Sequence, residues 1–74
     1  MSERVFENDN SFEVSGRGRN VEVYVFEGSS EHITNGSVII TVREENGYES
    51  QNASFTMTAE EATRMKEFLI RKGY

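Results

Sequence analysis

The sequence predicts an α+β domain: a four-stranded antiparallel sheet followed by one C-terminal helix packed on one face, ββββα in two layers. Three observations carry this expectation. Val and Ile number eleven while Leu occurs once and Ala three times, a balance that favours strands over helices. Apolar residues alternate with period two in several segments. Beyond Met57 the period changes to that of a helix.

The elements follow in order. Phe12 and Val14 stand in register in a short first strand near Phe12 to Ser15, and Val5–Phe6 either adds an edge piece or folds over an open sheet face. Val21, Val23 and Val25 alternate with Glu22, Tyr24 and Phe26 in the second. Val38, Ile40 and Val42 alternate with Ile39, Thr41 and Arg43 in the third, and Ala53, Phe55 and Met57 with Ser54 and Thr56 in the fourth. Each strand has one apolar edge, so the sheet has one apolar face.

Between strands lie residues that reverse a chain. Ser15-Gly16-Arg17-Gly18-Arg19-Asn20 and Glu45-Asn46-Gly47-Tyr48 read as hairpin connections, since Gly and Asn tolerate the positive φ that tight turns require. Gly28 to Gly36 is longer than a tight turn needs and is expected to be an exposed, mobile loop. Thr58-Ala59-Glu60-Glu61 has the form of a capping box, with Met57 placed to staple onto Ala62. Ala62, Met65 and Leu69 make one stripe, flanked by Phe68, that should cover the apolar sheet face. Gly73 supplies the stop.

The 74 residues are expected to form a single small domain with a thin core, because so short a chain hides only about 60% of its unfolded surface. No cysteine is available for disulfides or thiolate metal sites, which leaves the core or a partner subunit to supply stability and makes a homodimer a live alternative. No apolar run reaches the roughly 20 residues that span a bilayer. Residues 1–4 lead into no signal-peptide core, so a soluble, cytoplasmic protein is expected.

The chemistry-bearing constellations are sparse. His32, the only histidine, lies in a polar loop without a second ligand type beside it, so neither a metal site nor a catalytic triad can be assembled around it. Glu44–Glu45 flanks a turn and Glu60–Glu61 suits a helix start, so neither carboxylate pair calls for a catalytic role. The Gly-Arg-Gly-Arg segment lacks the lysine and Ser/Thr of a phosphate-binding loop and does not open a helix. No catalytic, cofactor or metal residue is nominated, and a non-enzymatic protein is expected.

Charge is polarised. The formal net charge is -5, with eight acids against one arginine in residues 21–61 and four bases against one acid in residues 62–74. Such acidity argues against nonspecific binding of nucleic acid. One helix covers one sheet face, and on the other Tyr24, Phe26 and Ile39 project beside Glu22, with Tyr48 able to join them. The candidate partner-binding set is therefore Glu22, Tyr24, Phe26, Ile39, Glu44, Glu45, Tyr48 and Glu49.

These features fit a small acidic protein-binding module that docks on a larger, basic protein. In size and acidity it is broadly like accessory proteins of bacteriophages and mobile elements that inhibit nucleic-acid-handling or host-defence proteins by placing negative charge where phosphate would go. No residue motif ties the chain to a named family. The alternatives are a nucleic-acid binder using Arg17, Arg19 and the basic helix end, or a structural homodimer.

Overall fold

The computed structural model describes residues 4–74. Its elements are β1 (Arg4–Glu7), β2 (Ser11–Gly16), β3 (Arg19–Val25), β4 (Val38–Asn46), β5 (Glu49–Met57) and α1 (Ala59–Arg71). The strands form one antiparallel sheet in chain order, β1-β2-β3-β4-β5, and the helix follows as the second layer of an α+β chain.

The sheet has five strands, not the four expected. Val5–Phe6 belongs to a strand of its own, with Val5 opposite Val14 and Phe6 opposite Glu13, so the N-terminal segment pairs rather than folding over a face. Asn8 makes the reversal: its Oδ1 accepts from the backbone N–H of Asn10 and of Ser11, both at 2.9 Å, and from Ser11 Oγ at 3.0 Å.

The two tight hairpins use different turns. Arg17 (φ 56°) and Gly18 (φ 74°) are both left-handed, the pattern of a type I′ turn. Between β4 and β5 the loop residues are Gly47 and Tyr48, and only Gly47 (φ 69°) is left-handed, the pattern of type II′. The turn centre thus sits one residue beyond the Asn46-Gly47 pair. Both strands are consequently longer than their apolar alternation suggested, because the polar stretches 44–46 and 49–52 pair with each other.

The connection from Phe26 to Ser37 is exposed over most of its length yet held by internal bonds. Phe26 N–H donates to Ser37 O and Gly36 N–H to Phe26 O, each at 2.8 Å, and Gly28 N–H donates to Asn35 Oδ1 at 2.9 Å. Ser37 is 3% exposed, and its hydroxyl lies 3.1 Å from Thr34 Oγ1.

The helix begins and ends as its sequence specifies. Glu61 N–H donates to Thr58 Oγ1 (3.1 Å), and Thr58 N–H donates to Glu61 Oε1 (2.9 Å), closing the capping box. Met57 and Ala62, at the two staple positions, are both half-buried. At the other end Tyr74 N–H donates to Leu69 O and Gly73 N–H to Ile70 O, with Gly73 at φ 104°, which is a Schellman closure. Thr58→Ala is expected to cost about 1 kcal/mol in urea unfolding, the usual loss for an N-cap hydroxyl. Thr63→Ala should cost less, because Thr63 Oγ1 only donates back to Ala59 O.

Pairing divides the sheet into two faces. Val5, Phe12, Val14, Val21, Val23, Val25, Val38, Ile40, Val42, Ala53, Phe55 and Met57 share one, here called the valine face. The other, the polar face, carries Glu13, Asn20, Glu22, Thr41, Arg43, Asn52 and Ser54, with Phe6, Tyr24 and Ile39 among them.

The helix leaves the valine face largely uncovered, contrary to expectation. It meets the sheet at β5, and of its residues Ala62 alone is even half-buried. The stripe of Met65, Phe68 and Leu69 lies in solvent with Ile70 beside it. The reason is the connector. Thr58 is the single residue between β5 and α1, its backbone is extended (φ -69°, ψ 164°), and the capping box fixes both its ends, so the chain has no length in which to turn back. Among the described residues no hydrophobic side chain is buried.

Candidate binding surfaces

The polar face holds an open groove of about 480 Å³ near the β2–β3 turn, lined by Glu13, Ser15, Arg19, Glu22, Arg43 and Glu45 among others. Glu13 and Glu22 stand directly opposite each other, an unfavourable like-charge pair across the strands. The Asn20 amide donates to Glu13 and offsets part of the repulsion, and in the same groove Arg43 Nη2 lies 2.7 Å from Glu45 Oε1. Both members of the Arg43–Glu45 pair are more than half exposed, so it contributes little to stability.

The predicted partner-binding residues separate into three places. Glu22, Tyr24, Ile39 and Glu45 share the polar face, where Tyr24 and Ile39 are direct neighbours across β3 and β4. Phe26 lies just past the end of β3, half-buried, and its ring tip would touch a Cβ placed on Gly28, so it belongs to the loop rather than to an open face. Glu44 and Glu49 have the parity of the valine face. The β4–β5 hairpin then brings Glu44, Glu45 and Glu49 together at one tip, around a Tyr48 that is wholly exposed in the turn.

The bases do not gather in the same way. Arg17 occupies the β2–β3 turn and Arg19 lies opposite Glu44, whereas α1 begins at the far end of β5, nine residues or about 30 Å from its start. Within α1 the guanidinium carbon of Arg71 sits 5.5 Å from the centre of the Phe68 ring, a cation–π contact at the exposed helix end. His32 is exposed in the 26–37 connection, and among the described residues no group of three His, Asp or Glu is placed to hold a metal. No helix among the described residues is long and apolar enough to cross a membrane.

The valine face, whose alternation predicts a core, is an open surface instead. On the valine face Val5 is 61% and Phe55 64% exposed, and Phe12, Val21, Val25 and Val42 are exposed as well. Two shallow hollows of about 350 Å³ each indent this face, one beside Val14, Arg19 and Val21, the other between Arg19, Val21, Val42, Glu44, Gln51 and Ala53. Apolar exposure on neighbouring residues of one face is more than the scattered exposure usual on a monomer's surface. The signal was present in the sequence as the missing linker: Met57 ends a strand and Thr58 already caps a helix. Comparison of the chain with protein-family models, with curated proteins and with solved structures finds no match.

Proposed function

We propose that the chain is a small acidic, non-enzymatic protein-binding module. The observation that carries this reading is the uncovered valine face together with the solvent-exposed stripe of α1. A chain of this size gains its stability chiefly by removing apolar surface from water, and here another polypeptide must complete that removal. The completed module presents the acidic hairpin tip, where Tyr48 supplies the aromatic side chain typical of interface anchors and Glu44, Glu45 and Glu49 supply charge. A larger protein with a basic, phosphate-binding groove is the partner this tip suits, in the manner of a phage or mobile-element accessory protein that modulates a nucleic-acid-handling host protein in the cytoplasm.

The test is capture from a bacterial lysate at low salt by the tagged chain and by a variant carrying Glu44→Lys, Glu45→Lys and Glu49→Lys. A stoichiometric partner retained by the wild type, eluted by salt and lost by the variant is the expected result. Equal capture by both chains would remove the tip from the interface, and no capture by either would count against the module reading.

A further inference from the structure

The inference deepens the module reading, on which it rests, by naming what covers the valine face. We infer that a second copy of this chain does so, each copy laying its α1 across the valine face of the other in a two-fold exchange. Four observations converge on a second copy rather than a foreign protein.

The first is the connector. Turns between a strand and a helix commonly run to several residues, and with the single Thr58 as connector α1 meets its own sheet at β5 while its stripe of Met65, Phe68 and Leu69 stays exposed and free to reach another. An apolar stripe left open on its own chain and available to an identical one is the geometry of exchange. The second is shape. The 13-residue helix is about 20 Å long, and five strands at about 4.8 Å spacing make a sheet about 20 Å wide, so one helix spans one sheet.

The third is area. The chain exposes 6320 Å². A compact monomer of its 8.5 kDa should expose only about 4,700 Å², an excess of about 1,600 Å² per chain. Burying that excess on both copies would remove about 3,200 Å² in all, within the range of roughly 2,000 to 5,000 Å² seen for obligate homodimers.

The fourth is chemistry. Residues 62–74 carry four bases and one acid, whereas Glu7, Glu44 and Glu49 have valine-face parity near the strand ends, against the one arginine, Arg19, opposite Glu44. A foreign protein would have to supply both an apolar helix for the sheet and an apolar bed for α1. A second copy supplies both at once, and the two contacts are identical by symmetry.

Sedimentation equilibrium of the wild-type chain should give twice 8.5 kDa at micromolar concentration. Because the chain has no cysteine, paired substitutions report the contact cleanly. Mixing chains that carry only Val42→Cys with chains that carry only Met65→Cys should give, on mild oxidation, a mixed two-chain disulfide, and a second mixture with Val21→Cys and Leu69→Cys checks the same contact. A folded wild-type chain that stays at 8.5 kDa overturns the inference, and so does a two-chain mass with no mixed disulfide in either mixture. In the single-chain case lysate capture separates the two claims: a stoichiometric foreign partner leaves the module reading standing, and no partner removes both.

Discussion

Phe55→Asp is expected to hold the chain at 8.5 kDa at concentrations where the wild type has twice that mass, and to abolish its cooperative thermal transition. In one chain alone Phe55 is 64% exposed, and a substitution at so open a position would change stability by no more than about 0.5 kcal/mol. In the two-chain assembly the ring lies beneath a helix. Emptying a closed site of a Phe side chain costs about 3 to 5 kcal/mol, and a carboxylate placed there must also lose its hydration. Analytical ultracentrifugation with circular dichroism separates the two cases, and an unchanged mass and melting curve would show that Phe55 faces water in the working protein. Tyr48→Asp is the matched control, since Tyr48 is wholly exposed at the hairpin tip and its replacement should leave both measurements alone.

Gly18→Ala should be the most damaging single change at a turn. Gly18 has φ +74°, and a Cβ built there would lie 3.1 Å from the backbone carbonyl oxygen of Glu45. The same approach carries a hydrogen bond, Glu45 N–H to Gly18 O at 2.7 Å, which ties the β2–β3 turn to the strand leading to the acidic tip. Left-handed backbone costs an alanine roughly 1 to 2 kcal/mol, and relieving the contact would loosen that bond, so a loss of about 2 kcal/mol in urea unfolding is expected. Gly47→Ala supplies the comparison. Its φ is +69°, but a Cβ there meets nothing within 4 Å, so only the backbone strain remains and the loss should be about half as large. Equal losses at the two sites would mean that the approach of Gly18 to Glu45 has no energetic weight.

Much of the architecture was written in local pattern. The alternation of Val21 to Val25 and of Val38 to Val42 defined two strands and one face, and the Thr58-Ala59-Glu60-Glu61 box marked the helix start to the residue. The strand at Arg4–Glu7 was less legible, because four residues give too little alternation to distinguish a paired edge from a covering segment. Strand length was also underestimated at the β4–β5 hairpin, where Glu44, Glu45 and Gln51 carry no apolar period and are extended because a tight turn zips them together.

Of the surfaces proposed for binding, the acidic tip could be read from the sequence and the open valine face could not. Glu44, Glu45 and Glu49 already flank the Asn46-Gly47-Tyr48 turn in the sequence, and the hairpin holds them at one tip around Tyr48. The helix stripe is apolar as its period indicates, yet an apolar stripe does not specify whether its own sheet or another surface covers it. That choice depends on the length of the connection at Thr58, a geometric property to which hydrophobic periodicity is blind.

The strictly sequential order of the five strands has a consequence for how the protein is made. Every strand pairs with its neighbour in the chain, so the sheet closes through short loops whose entropic cost is small, and folding of such low-contact-order units is fast. The chain contains neither proline nor cysteine, which removes prolyl isomerisation and disulfide reshuffling as sources of slow phases. For the proposed two-chain assembly what remains is encounter between two chains, a second-order step whose half-time shortens as concentration rises. Burst synthesis would therefore favour completed molecules over open ones, and dilution would return them to a state with valines facing water.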